Sequence, residues 1–289
     1  MADSNHLRIG FFGTSDFALE TLTALYEHPI DIKFVVSQNP KPSGRGQKVN
    51  FSPVYKFAKF HNLNTFTPEN INNLEFINKI KNFEIDFLII VAYGKIINER
   101  ILKLPKLFSL NIHASILPKW RGAAPIQRSI LNGDNETGIS IIVVEPKLDS
   151  GPIVLSKKIK INRNDNTGFL HKKLSTLGSK LILEAISNIS KNNYTLIKQD
   201  EAKSSYAKKI SKTETKISWT DSAQSIRGNG AREGRRLIGP TCNSTVPSLF
   251  VSNALMTALI SLGLSRIPIP ISPPSIIIWR RINKLWTIF

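Results

Sequence analysis

At 289 residues, with 41% hydrophobic and 21% charged side chains, the chain has the make-up of a globular protein, long enough for one large or two modest domains. A single cysteine, Cys242, excludes an internal disulfide framework, and no Cys or His grouping has metal-ligand spacing, so no metal is expected. The 39 basic against 21 acidic residues give a formal net charge of +18, which points to a polyanionic partner without identifying it.

MADSNHLRIG opens without a basic region and long apolar run, so no signal peptide is expected, and a cytoplasmic protein with no membrane partner is the reading. Leu7 to Phe12 reads as a strand ending at Gly13-Thr14-Ser15, with Ser15 or Asp16 capping a helix through Leu19, Leu22 and Leu25. Gly13 stands alone without the G-x-G-x-x-G fingerprint, so a dinucleotide site is not expected. Ile30 to Ser37 is the second strand. Asn39 to Asn50, with Pro40, Pro42, Gly44, Gly46, Lys41, Arg45 and Lys48, reads as a mobile basic loop, which composition alone makes a solvated connection.

Helical spacing follows in Ser52 to His61, and a further helix is expected within Glu69 to Asn82. Phe87 to Ala92 is wholly apolar, as suits a central parallel strand covered on both faces, and it ends at Tyr93-Gly94-Lys95. A short helix is expected in Ile97 to Leu102, another at Pro125 to Leu131, strands at Ile139 to Val144 and Ile153 to Ile161, and a long amphipathic helix over Thr167 to Ile189. This alternation predicts an α/β fold, a doubly wound, Rossmann-like and mostly parallel sheet, over residues 1–190.

Between these elements, Asn111 and His113 lie two apart in the strand-like run of Leu107, Phe108, Leu110 and Ile112, so the period of two puts both on one face. A non-titrating amide donor beside an imidazole suits a developing oxyanion and a moving proton. A lone His is more often structural. What favours function is the loop directly after it, with Pro118, Arg121, Gly122 and Pro125, because ligands of open α/β sheets bind at such carboxyl-end loops. Asp149, after the strand Ile139 to Val144, is the candidate third member. His6, His28, His61 and His171 need only surface or capping roles.

NIHASILPKWRGAAPIQ, followed by ETGISIIVVEPKLDSGPIV, resembles the 10-formyltetrahydrofolate-dependent formyltransferases, most closely those acting on methionyl-initiator tRNA. The likeness runs from about Leu7 to about Ile226, includes FFGTSDFALETL, SGRGQK and VAYGKII, and implies that 191–226 is a linker and the remnant start of a C-terminal domain. It implies Asn111, His113 and Asp149 as the catalytic set, with the α-amine of the methionyl ester attacking the formyl carbon of 10-formyltetrahydrofolate. Asn111 and a protonated His113 would stabilise the oxyanion, and Asp149 would orient His113. It further implies folate along Ser115, Ile116, Leu117 and Pro118, with the pterin near Tyr93 and Gly94. Arg45 of the basic loop would enter the tRNA acceptor stem, flanked by Lys41 and Lys48. A monomer is expected.

Two other functions are compatible with parts of the sequence. One is formyl transfer to an amino sugar or a ribonucleotide, which does not need the basic loop; the other is an RNA-binding protein with impaired catalysis. After Ile226 the pattern changes: residues 227–289 hold 7 Arg, 1 Lys and a single acid, Glu233, and 6 of the 16 prolines, including PIPISPP. The uncharged stretch Leu237 to Ser265 carries too many Pro, Asn and hydroxyl residues for a membrane span. The expectation is an atypical, unstructured tail, an altered or frameshifted terminus in place of the family's β-barrel domain.

Overall fold

The computed structural model describes residues 7–43, 48–211 and 214. In chain order these form β1 (Arg8–Gly13), α1 (Asp16–Tyr26), β2 (Asp31–Val36), β3 (Lys41–Ser43), β4 (Lys48–Asn50), α2 (Pro53–Phe60), β5 (Thr65–Phe66) and α3 (Leu74–Lys81). Next come β6 (Phe87–Val91), α4 (Glu99–Leu102), β7 (Phe108–His113), β8 (Arg121–Gly122), α5 (Pro125–Leu131), β9 (Glu136–Val143), β10 (Ile153–Lys160), α6 (Thr167–Ser190) and β11 (Tyr206–Ala207).

Seven strands make one sheet in the order β10-β9-β7-β6-β1-β2-β5. β5, β2, β1, β6 and β7 pair in parallel, whereas β9 runs antiparallel to β7 and β10 antiparallel to β9. The alternation of strand side chains divides the core between the two faces. Ile9, Phe11, Ile89, Leu110, Ile112, Ile139 and Ile141 pack with Leu22 of α1 and Leu174 and Ile182 of α6. On the opposite face Phe12, Phe34, Leu88 and Ile90 pack with Ile77 and Ile80 of α3 and Ile101 of α4.

Side-chain caps start most of these helices. Ser52 accepts from the Tyr55 amide, Asn73 from Glu75, Asn98 from Arg100 and Asn166 from Phe169, each satisfying an orphan donor of the first turn. The expected cap of α1 differs: Ser15 holds the position, but its hydroxyl makes no capping bond.

The basic segment is not a plain loop. Lys41–Ser43 and Lys48–Asn50 pair antiparallel, Lys41 opposite Asn50 and Ser43 opposite Lys48, and Pro42 is tolerated because a two-stranded ribbon leaves one backbone side unpaired. β5, β8 and β11 went unforeseen because two residues carry no readable alternation. Arg45, which was expected at the tRNA, and the tail 227–289 lie outside the described residues.

Tyr93 follows β6 and is only 2% exposed, its ring edge-on to Phe12 with centroids 5.1 Å apart. Its hydroxyl is buried without a hydrogen-bond partner among the described residues, and burial pushes the phenol up to about 12. The folded value thus exceeds the unfolded one of about 10, so this group's contribution is present below about pH 10 and lost as pH rises toward 12. Tyr93→Phe, which removes the unpaired hydroxyl, should match or exceed the parent's thermal stability at pH 8 and lose less of it between about pH 10 and 12. A melting temperature lower by more than about 4 °C at pH 8 would contradict this.

Candidate active site

Strand alternation in β7 sends Leu110 and Ile112 to one face of the sheet and Asn111 and His113 to the other. Asn111 stands beside Ile90 of β6 and Ile142 of β9, and His113 beside Ser140. Apolar packing on this second face is split. The Phe12 to Ile90 cluster lies on one side, a small cluster of Leu117, Ile142 and Ile153 on the other, and the amide and imidazole fall between them.

The loop between β9 and β10, residues 144–152, folds back over these two side chains. Asp149 adopts a left-handed backbone, with φ at +48°, and the turn closes so tightly that a Cβ on Gly151 would come within 1.8 Å of the Val143 carbonyl oxygen. The carboxylate then meets three partners. Asp149 Oδ2 accepts from the Gly122 amide at 2.9 Å and lies 3.5 Å from His113 Nδ1, while Oδ1 accepts from Asn111 Nδ2 at 3.4 Å.

The other imidazole nitrogen, His113 Nε2, is 2.8 Å from the Trp120 carbonyl oxygen. A carbonyl only accepts, so Nε2 carries the hydrogen of that bond. Trp120 is itself fixed: its φ is +64°, its amide donates to Ser205 Oγ at 2.9 Å, and its indole Nε1 donates to Asp134 at 2.7 Å. Burial would raise the Asp134 carboxyl, but hydrogen bonds from Lys119, Asn132 and Trp120 outweigh it and hold the group below the usual range. The His113 and Asp149 side chains retain only 6% and 13% of their exposure, so this is a shielded, hydrogen-bonded cluster.

A second set of contacts ties the same loops to the chain beyond α6. Arg121 is 6% exposed and donates to both Gln199 Oε1 and the Glu201 carboxylate. Hydrogen bonds from Arg121 and Lys147 hold Glu201 down at about 2. β8 pairs parallel with β11, Arg121 opposite Tyr206 and Gly122 opposite Ala207.

Asn111, His113 and Asp149 are therefore brought together. The residues expected to hold folate divide differently. Tyr93 gives its ring to the core and offers only backbone, its carbonyl already accepting from Thr14 and Gln38. Gly94 is exposed, with φ at +78°. Ser115 is fully buried and donates to the Lys119 carbonyl at 2.6 Å, while its own carbonyl accepts from Ser140. Leu117 is 4% exposed. Ile116, Leu117 and Pro118 line a cavity of about 1030 Å³ together with Trp120, Asp134 and Lys160, a cavity to which Asn111, His113 and Asp149 do not contribute. Lys41 and Lys48 lie in the two strands of one hairpin. Among the described residues no group of three His, Cys, Asp or Glu is placed to hold a metal. No helix among them is long and apolar enough to cross a membrane.

Sequence reasoning missed Trp120 and Gln199, and placed Gly122 in the functional loop without foreseeing the role of its amide. Trp120 and Gly122 act through backbone groups, which leave no trace in residue identity; Gln199 carried no motif.

A mostly parallel sheet gathers an amide, an imidazole and a loop carboxylate at the carboxyl end of β7, where sites of open α/β enzymes lie. The formyl transferase family model matches residues 7–186, and the chain belongs to that family. Among proteins similar in sequence is the methionyl-tRNA formyltransferase of Pelagibacter ubique (strain HTCC1062), 46% identical over 222 residues, covering 76% of this chain and 72% of that protein. That of Kosmotoga olearia is 42% identical over 220 residues, covering 76% of this chain and 71% of that one.

Similar solved structures include the sugar 3N-formyl transferase WlaRD with dTDP and 5-N-formyl-THF, at 24% identity and a TM-score of 0.56, covering 78% of each chain. Phosphoribosylglycinamide formyltransferase from Bacillus halodurans is 20% identical, with a TM-score of 0.54, covering 63% of this chain and 94% of that one. At these identities the structures establish the shared fold.

The tight turn at Gly151 yields a direct expectation. Gly151→Ala must move either the Val143 carbonyl or the Asp149 turn, and should lower the melting temperature by about 4 °C or more in a calorimetric scan. An unchanged melting temperature would show that the turn is free to relax.

Proposed function

We propose that the chain transfers the formyl group of 10-formyltetrahydrofolate to the α-amino group of methionyl-initiator tRNA, giving formylmethionyl-tRNA for translation initiation. The observation that carries this reading is the convergence of Asn111, His113 and Asp149 in a chain 46% identical to a methionyl-tRNA formyltransferase over 76% of its length.

The residues near the cluster suit a folate. A flat heterocycle with amide-like edges needs exposed backbone beside an apolar wall. Ala92 and Gly94, which follow the strand beside Asn111, are exposed in left-handed conformations, with φ at +44° and +78°. Ile97 and Val144 are partly buried against the apolar cluster that includes Ile90. These residues would hold the pterin, and the bound donor supplies the formyl carbon together with N10 as the leaving nitrogen.

The chain's own groups then have distinct tasks. Asn111 Nδ2 donates to the formyl oxygen as negative charge builds there, a role for an amide because it cannot lose its proton. The attacking amine sheds a proton and N10 gains one; His113 and Asp149 are the titrating side chains gathered at that point. Asp149 also fixes the imidazole plane and would balance positive charge that develops on it, while Trp120 holds the far nitrogen.

The basic hairpin favours tRNA over the smaller acceptors acted on by the structural neighbours. Lys41, Arg45 and Lys48 fall within one Pro- and Gly-rich segment, and the chain carries a formal charge of +18. On this reading residues 1–190 supply the chemistry and 191–226 continue from it, while the departure after Ile226 leaves tRNA affinity to scattered Lys and Arg. That affinity would fall steeply with salt. The chain acts as a cytoplasmic monomer.

Labelled formyl donor offered with methionyl-initiator tRNA, an amino-sugar nucleotide and glycinamide ribonucleotide in turn tests the reading: label should pass to the tRNA, and transfer to one of the small acceptors alone would replace it. His113→Ala and Asn111→Ala should each lower turnover by about a hundredfold or more with folate affinity largely retained. Near-normal turnover in either would remove that residue from the mechanism. Arg45→Ala should raise KM for initiator tRNA and weaken its discrimination from elongator tRNA; unchanged discrimination would make Arg45 a plain surface charge.

A further inference from the structure

Gln199 is 5% exposed and lies beyond the segment matched by the family model, which ends at residue 186. Its amide is fully used. Nε2 donates to the main-chain carbonyls of Asp149, at 2.9 Å, and Gly151, at 2.7 Å. Oε1 accepts from Arg121 Nε at 3.0 Å and Nη2 at 2.8 Å. The orientation is unambiguous, since a guanidinium has only donors and the two carbonyls only acceptors, so a flipped amide would lose all four bonds.

These four bonds bracket the carboxylate that serves His113. Asp149 sits in a left-handed turn, and Gln199 pins both carbonyls of that turn, the one at Asp149 and the one at Gly151. On the other side, Arg121 is covalently next to Gly122, whose amide donates to Asp149 Oδ2. The segment around Gln199 is anchored independently: the Ile197 amide donates to the Ile153 carbonyl at 2.9 Å, the reverse bond is 2.8 Å, and Arg121 N donates to Ser205 O at 2.8 Å. One amide thus joins the turn that presents Asp149 to the loop that receives it.

We propose that Gln199 is a positioning residue for the transfer reaction: it fixes the backbone of the Asp149 turn and thereby the reach of that carboxylate to His113. The kinetic part of this inference rests on the function proposed above; the geometric part does not. The Ile197 to Ala207 strap is accordingly part of the frame of the site.

The test uses the full chain with Gln199→Glu, which keeps the shape and the acceptor toward Arg121 but loses both donors, and Gln199→Met as a second variant. With no substrate present, the ring resonances of His113, assigned by loss in His113→Asn, should be displaced in both variants by carbon-detected NMR. In the transfer assay kcat should fall about 10- to 100-fold, as for small misplacements of a catalytic group, with KM for methionyl-tRNA within about twofold. Adding Gln199→Glu to Asp149→Asn should change kcat by less than about twofold, because the first substitution acts through the second residue. Unmoved His113 resonances, or kcat losses that multiply in the double variant, would overturn the proposal. Loss of folding in both Gln199 variants while Asp149→Asn folds would also overturn it, making Gln199 purely structural. If the parent chain transfers no formyl group, the proposed function falls, and the His113 resonances still decide the role of Gln199.

Discussion

The hydrogen bond from the Gly122 amide to Asp149 Oδ2, at 2.9 Å, joins two loops that leave the sheet at different places and must meet over one face of β7. Without that meeting, Asn111 and His113 would be two polar side chains set between apolar clusters. A buried polar group without partners costs about 1–3 kcal/mol, so the loops also offset a penalty that the strand itself creates. On the proposed function, stability and chemistry draw on the same contacts. The carboxylate that completes the polar cluster is the group best placed to hold the imidazole.

The sheet supplies the other half of the constraint. β7 faces the α1 and α6 side with Leu110 and Ile112 and cannot rotate without exposing them, so Asn111 and His113 are held on the opposite face. Antiparallel β9 brings Ser140 beside His113, and Ser140 Oγ donates to the Ser115 carbonyl while accepting from the Leu117 amide at 3.0 Å. The loop after the strand is therefore locked from beneath. From above it is held by Trp120 and its indole bond to Asp134.

Legibility in the sequence followed from how local each signal is. Asn111 and His113 could be paired from spacing because a strand period of two is a local rule, and Phe87 to Val91 announced a central strand by being wholly apolar. Asp149 lies 38 residues from Asn111, so no local rule joins them, and the motif resemblance pointed to the pair before the fold did. The Trp120 carbonyl and the Gly122 amide were illegible because any residue carries such groups. Gln199 was illegible for a different reason: its partners at Arg121 and Asp149 stand 78 and 50 residues away, in two separate loops. The Lys41–Ser43 strand was hidden by its proline and by being three residues long.

The most direct measurement is single-turnover formyl transfer by the Asp149→Asn chain beside the parent, with donor affinity measured on the same samples. If the carboxylate holds His113 for chemistry, the transfer step should slow by about a hundredfold or more while donor affinity stays within about threefold. Equal transfer rates in the two proteins would contradict the account, since the contact on which the site's geometry converges would then contribute nothing to the reaction.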